Sequence, residues 1–279
     1  MRWRTPLRYP GGKGKLTYYF EGILSENNID GTYIEPFAGG AGVAMNLLLS
    51  EKVKDVVIND ADISVYYFWK AVTEYPDDFI RKIRETEISI KEWENQHEVQ
   101  TRKQTAGIFE LGFSTFYLNR TNRSGIISGG VIGGKEQKGP YEIGARFNKE
   151  ALISRIESIS KKSDHITVSG FDANRFLKRK MQDYDIENTL VYIDPPYYDK
   201  GNLLYMNYYR DEDHKELSET IKGLKHKWIL SYDNVKFISN LYPIKNCMEV
   251  KINYSSFEAR EGRELFFHSQ NMVMPGSVN

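Results

Sequence analysis

The chain has 279 residues, which suits one large α/β domain or a domain carrying an insertion, and its 40% hydrophobic and 13% aromatic content excludes wholesale disorder. Lys plus Arg and Asp plus Glu are both 38, so overall charge selects no partner. The single cysteine, Cys247, excludes an internal disulfide and a cysteine-built zinc cluster. No stretch reads as a signal peptide or a membrane span, which sets the expectation of a cytoplasmic protein.

In chain order, residues 1–15 carry Arg2, Arg4, Arg8, Lys13 and Lys15 with no acid. "KLTYYFEGILSEN" (15–27) has apolar residues at helical spacing. "GTYIEPFAGGAGVAMNLLLSE" (31–51) reads as a short strand, a glycine-rich turn and a helix, and "DVVIND" (55–60) as a second buried strand ending in an acid. "DISVYYFWKAVTEYP" (62–76) predicts a helix closed by Pro76. Polar helical segments fill 77–120, and "NRSGIISGGVIGGK" (122–135) reads as a hairpin or a mobile loop. "KEALISRIESISKK" predicts a helix, "HITVSG" (165–170) a strand, and "TLVYI" a strand running into Asp194. A helix near 211–223 and strands at 227–234 and 247–254 complete the pass, with the last two expected to form an antiparallel edge.

Strands alternating with helices imply a parallel, doubly wound sheet. The alternation breaks at 75–155, which is expected to be a second lobe inserted into a domain made of 1–74 and 156–279. Charge is segregated along the same lines. Residues 51–100 hold 7 bases against 12 acids, and residues 101–149 hold 8 bases against 3 acids. A basic face on the insertion suits a phosphate backbone, and chance clustering on solvated helices accounts for the counts equally well.

Ligands of a doubly wound sheet gather at the carboxyl ends of its strands. "IEPFAGGAG" (34–42) lies at one such end, where glycines admit a ligand close to the backbone and the following helix presents free N–H groups. A tight strand-to-helix turn with no ligand would look the same. Asp60, about 20 residues beyond, stands where such folds place an acid for ribose hydroxyls, though Asp60 or Asp62 could instead cap the next helix. No Walker A pattern is present, which argues against a nucleoside triphosphate.

At 194–197, Asp-Pro-Pro-Tyr ends a later strand and should face the same crevice. The two prolines fix φ and remove competing donors beside the carboxylate. With "RYPGGKGKL" (8–16), "IEPFAGGAG", "VINDAD" (57–62), "YLNRTNRSG" (117–125), "GPYEIGARFN" (139–148), "VSGFDANRF" (168–176) and "VYIDPPYY" (191–198) in this order, the chain resembles amino-methyltransferases with a (D/N/S)PP(Y/F) motif. More narrowly, it is similar to the Dam-type DNA adenine N6-methyltransferases.

The resemblance implies a Rossmann-like S-adenosylmethionine-dependent fold, with an inserted, mainly helical target-recognition lobe carrying a β-hairpin. It implies S-adenosylmethionine as cofactor, S-adenosylhomocysteine as product and no metal. Its substrate would be double-stranded DNA, with a cognate restriction endonuclease as a further partner in a restriction–modification setting; an amine of RNA or of a protein amide as the acceptor, or DNA binding without catalysis, are the alternatives, and cytosine N4 stays open as the target. Asp194, Pro195, Pro196 and Tyr197 would be catalytic, with Tyr197 facing a base turned out of the duplex. Tyr9, Lys13, Glu35, Phe37, Gly39, Asp60, Asp172 and Asp194 would line the cofactor pocket. Arg120, Asn122 and Arg123 would read bases, and Lys135, Lys138 and Arg146 would hold phosphates. Arg123 reads equally well as half of a surface salt bridge. Cytosine C5 chemistry is excluded, because it needs a thiolate in a Pro-Cys setting and Cys247 follows Asn246.

Overall fold

A computed structural model describes residues 5–9, 11–198, 209–242, 244–254 and 260–275. Arg2 and Arg4 of the basic N-terminal run lie outside them.

Seven strands form one sheet in the order β3-β2-β1-β4-β5-β7-β6. β1 (Thr32–Glu35) is central, pairing in parallel with β2 (Asp55–Asn59) through Ile34↔Val57 and with β4 (Thr189–Ile193) through Ile34↔Val191. β3 (Ile166–Ser169) flanks β2, and β5 (Lys227–Asp233) flanks β4, both also parallel. Side chains alternate across a strand, so one register sorts the core into two layers. Tyr33, Val56, Leu190 and Ile229 pack on one face, and Ile34, Val57, Val191 and Leu230 on the other. Both faces are covered, which is why these strands read as apolar runs rather than alternations.

The antiparallel edge differs from the expectation. β5 is parallel to its neighbour β4, and β7 (Arg260–His268) inserts antiparallel between β5 and β6 (Cys247–Tyr254). β7 escaped the sequence reading because "REGRE" breaks the apolar pattern that announces a strand.

Between β2 and β3 the chain is helical. α3 (Ile63–Glu74) is capped by Asp62, whose carboxylate accepts from the Ser64 N–H at 2.9 Å, so Asp60 is not needed as the cap. Pro76 ends α3 and also opens α4 (Pro76–Glu85), where its missing N–H costs nothing. α5 (Ile90–Thr101) and α6 (Ile108–Thr121) follow. α6 lies so close to α3 that a Cβ on Gly112 would stand 2.5 Å from the Tyr67 carbonyl oxygen. Phe68, Phe79, Phe113 and Phe116 interlock at this crossing, within the same core that covers one face of the sheet. The expected hairpin at 122–135 is reduced to one antiparallel bridge, Asn122↔Val131, beside a short 3-10 turn at Arg123–Gly125. Its glycines favour turns over a ladder. α7 (Lys149–Ser160) then leads back to the sheet.

Candidate active site

The site is assembled at the carboxyl ends of β1, β2, β4 and β5, closed from one side by the segment before α1 (Thr17–Glu26). Buried Lys13 sits in the 3-10 turn Lys13–Leu16. Its Nζ donates to both Asp194 oxygens at 3.1 Å and to the Tyr197 hydroxyl at 2.6 Å, and lies 3.3 Å from Glu264 Oε1. Tyr197 in turn donates to Glu264. Ser231 Oγ donates to Asp194 Oδ1 at 2.6 Å, and the Tyr192 hydroxyl lies 2.9 Å behind it. Burial alone would lower the Lys13 ammonium, and the Asp194 and Glu264 carboxylates outweigh it, so the net direction is up. Lys13 is therefore a buried cation between two carboxylates, and the Asp194 side chain keeps 22% of its surface open toward the crevice.

The strand-to-helix turn after β1 forms the adjoining wall. Gly39 has φ +46°, and a Cβ there would stand 2.6 Å from the Tyr9 ring. Only glycine lets this turn lie against Tyr9. Trp69 Nε1 holds the Gly39 carbonyl at 2.9 Å, and the Gly39 N–H donates to Asp60 Oδ2 at 2.8 Å. Asp60 Oδ1 accepts from the Asp62 N–H at 2.9 Å. Burial pushes the Asp60 carboxyl up to about 7, against the downward pull of these two amides. Glu35 is deeper, accepts from the Ala44 N–H at 3.1 Å, and is pushed up to about 8 by burial. Ala41 heads α2 (Gly42–Leu49) with φ +43°, a left-handed conformation that alanine adopts at a cost of about 1 kcal/mol.

Phe37 packs edge-on to Tyr209 with ring centroids 5.8 Å apart. Asp172 is exposed and caps α8 (Ala173–Lys180), accepting from the Arg175 N–H at 3.0 Å. Tyr9, Lys13, Glu35, Gly39, Asp60 and Asp194 thus share one crevice. Glu35 lies in its floor, too buried to be a polar contact without rearrangement. The turn admits close approach, Asp60 offers acceptors, and two carboxylates share the Lys13 ammonium. That set fits a nucleoside-type cofactor bearing a cation.

Tyr197 is buried and its hydroxyl end is tethered, so its free motion is small. The next residue is fixed as well: the Tyr198 N–H donates to Asp233 at 3.1 Å, its hydroxyl to Asp211 at 3.0 Å, and its ring stacks on Phe237.

Two residues expected to read bases point inward. Arg120 is 7% exposed and its guanidinium donates to the Pro6 carbonyl; burial, with Arg155 and Arg8 nearby, pulls it down to about 9. Asn122 is fully buried, accepting from Trp93 Nε1 at 2.6 Å and donating to the Ile126 and Ile127 carbonyls. Asn119, from the same stretch, clamps the N-terminal segment through the Arg8 N–H at 2.7 Å and the Arg8 carbonyl at 2.6 Å. The cause is local: Arg120 lies in the buried last turn of α6 and Asn122 caps it, so neither belongs to the loop beyond. Arg123, Lys135, Lys138 and Arg146 are exposed. Lys135 pairs with Glu94 at 3.5 Å and lies over Trp93; Arg146 lies over Tyr141.

Ser231 and Glu264 were not singled out from the sequence, because neither lies in a recognisable motif. Asn59 was quoted only as part of "VINDAD". Fully buried, it donates to the Pro36 and Phe171 carbonyls at 2.9 Å each and accepts from the Phe171 N–H and Ser169 Oγ. It thereby ties the loops after β1 and β3 to the end of β2. Asn59→Ala would orphan several buried groups, so a loss of about 2–4 kcal/mol is expected. That corresponds to a fall of roughly 5–15 °C in thermal midpoint, checked by calorimetry.

The sheet order, with one antiparallel strand entering between β5 and β6, and an acid-proline-proline-tyrosine exit from β4 define a methyltransferase class of site. The chain belongs to the D12 class N6 adenine-specific DNA methyltransferases, whose family model matches residues 9–256. It is similar to the type II methyltransferase M.CviBI of Paramecium bursaria Chlorella virus NC1A, 22% identical over 265 residues, covering 93% of this chain and 95% of that one. It is also similar to the type II methyltransferase M.MjaIII of Methanocaldococcus jannaschii, 24% identical over 270 residues, covering 88% and 89%. Among solved structures, the rRNA methyltransferase aviRa from Streptomyces viridochromogenes aligns over 95% of this chain and 88% of that one, at TM-score 0.40 and 10% identity. The family and its fold imply use of S-adenosylmethionine. Among the described residues there is no group of three or more metal-ligating side chains, and no helix long and apolar enough to cross a membrane.

Proposed function

We propose that this chain transfers the methyl group of S-adenosylmethionine to the exocyclic N6 of an adenine turned out of double-stranded DNA, as a site-specific modification enzyme. The observation that carries this reading is Asp194, fastened at the end of β4 by Lys13 and Ser231 and open on one side, next to the glycine turn and Asp60. When bound, the cofactor supplies an electrophilic methyl on a positively charged sulfur. The adenine amine is a poor nucleophile because its lone pair is delocalised into the ring. Asp194 accepts a hydrogen bond from that amine, favours tetrahedral geometry at nitrogen and would receive the proton the nitrogen gives up on methylation, the electron pair of the broken C–S bond staying on the departing thioether. Lys13 and Ser231 keep the carboxylate from turning away, so the work is positioning and charge placement, with no covalent enzyme intermediate.

Tyr9, Phe37, Gly39, Asp60 and Asp172 line the cofactor pocket in this reading, and Glu35 supports its floor. Pro195 and Pro196 set the direction of the carbonyls beside Asp194. The target-recognition insertion is 75–155, set within a catalytic domain of 1–74 and 156–279, and its exposed cations Arg123, Lys135, Lys138 and Arg146 face DNA. Arg120 and Asn122 brace the platform from which those residues act. The type II names of the two relatives suggest a restriction–modification setting with a cognate endonuclease, in bacterial or phage DNA modification and in the cytoplasm.

Expression in a methylation-deficient host, followed by modification-aware sequencing, tests the proposal. N6-methyladenine should accumulate at one short recurring sequence; DNA with none above background would reject it.

Asp60 gives a pH signature. Ribose hydroxyls donate best to an ionised carboxylate, so binding must pull the raised Asp60 value down. Cofactor affinity should therefore rise with pH from 6, by up to about tenfold per unit, and flatten above the value of about 7 toward pH 8. Titration calorimetry across that range checks it, and Asp60→Asn should remove the slope.

A further inference from the structure

Glu264 has no place in the sequence motifs, yet it is fully buried at the centre of the site. It arrives on β7, the strand that runs antiparallel to β5, with Asp233↔Glu264 as the register pair. Lys13 is 3.1 Å from Asp194 and 3.3 Å from Glu264, and Tyr197 donates to Glu264. Among the described residues, one ammonium is thus shared by two carboxylates. Were Lys13 paired with Asp194 alone, the pair would be neutral and the ammonium would compete for the lone pairs that a substrate amine needs.

We propose that Glu264 is a positioning residue that acts as the charge counterweight of this site. Its carboxylate draws part of the Lys13 field away from Asp194, keeping that anion available and favouring the cationic form of the cofactor over its uncharged thioether product. This inference rests on the function proposed above and assigns to β7 a role beyond joining β5 to β6. The direction of the reaction fits as well: the thioether product is uncharged, so these carboxylates would hold it less than the cationic cofactor.

The test is the ratio of dissociation constants, S-adenosylhomocysteine over S-adenosylmethionine, measured by titration calorimetry on the full chain. Glu264→Gln keeps shape and removes charge, and should lower that ratio about tenfold relative to the unaltered chain, as expected for the loss of one nearby charge. Its kcat should fall more than its KM for DNA changes. Tyr197→Phe removes a tether to Glu264 and keeps the charge, so the ratio should stay within about twofold; Glu264→Asp should behave likewise. A Glu264→Gln ratio equal to that of the unaltered chain overturns the proposal, as does a Tyr197→Phe shift as large as that of Glu264→Gln, which would mark a scaffold effect. Should Glu264→Gln fail to fold, Glu264→Asp and Tyr197→Phe decide: a tenfold change in either overturns the counterweight. If the unaltered chain binds neither compound, the functional reading falls too; if it binds both and the ratio test fails, only this inference falls.

Discussion

Asp194→Ala should lower kcat/KM for DNA methylation by at least about 10³-fold, roughly 4 kcal/mol of transition-state stabilisation. Asp194 is fastened at the exit of β4 by Lys13 and Ser231 while still partly open. The fold should survive. Lys13 keeps Glu264, the Tyr197 hydroxyl and the Gly11 carbonyl, and Ser231 keeps the Tyr192 hydroxyl, so no buried charge is stranded. Asp194→Asn separates two contributions: the amide oxygen still accepts from the amine but cannot take its proton, so activity should fall to an intermediate level. Single-turnover methylation with a tritiated methyl donor, together with a thermal midpoint, checks both. An alanine variant within tenfold of the unaltered chain would remove Asp194 from the reaction.

Lys13→Met is expected to have the opposite profile, a stability defect first and a catalytic one as a consequence. Removing the ammonium takes from Asp194 and Glu264 the cation they share, and breaking a buried pair from one side costs about 3–5 kcal/mol. The pH dependence has a definite sign. In the unaltered chain Lys13 is raised, so its stabilisation is fully present below the unfolded lysine value and is lost only as pH rises through the still higher folded one. In the variant, two like charges raise the carboxylates, which take up a proton as pH falls. The deficit should therefore be larger at pH 8 than at pH 6. Adding Glu264→Gln should restore part of the loss, since a single remaining carboxylate is tolerated better than two. Urea unfolding of both variants at the two pH values measures this. A deficit below 1 kcal/mol, independent of pH, would mean that the charges are screened by solvent rather than by Lys13.

The two substitutions differ because Asp194 has charged neighbours that compensate one another after its loss, whereas Lys13 is the only cation of the cluster among the described residues. Activity is concentrated at the partly open end of the network and stability at its closed centre. Glu264 connects the two, which is why its removal should read out in cofactor discrimination rather than in either extreme.

The strand–turn–helix at 31–51, the acid after β2 and the acid-proline-proline-tyrosine exit from β4 were all legible in the sequence, and so was the parallel sheet. Each depends on consecutive residues obeying short-range rules: apolar runs for doubly covered strands, glycine where the backbone must approach an aromatic ring, proline where φ must be fixed. The order of those motifs also carried the family resemblance. What the sequence could not place was decided by pairing across long stretches of chain. β7 enters between β5 and β6, and only that insertion brings Glu264 to Lys13. The crossing of α6 on α3 turns Arg120 and Asn122 inward, making Arg120 a brace for the N-terminal segment and Asn122 one for Trp93 and the turn at 126–127. Asn59 acquires its meaning from two loops that are distant from it in the chain. A side chain's type is written locally, but the charges and carbonyls it meets are chosen by strand order and helix packing, which no window of neighbouring residues contains.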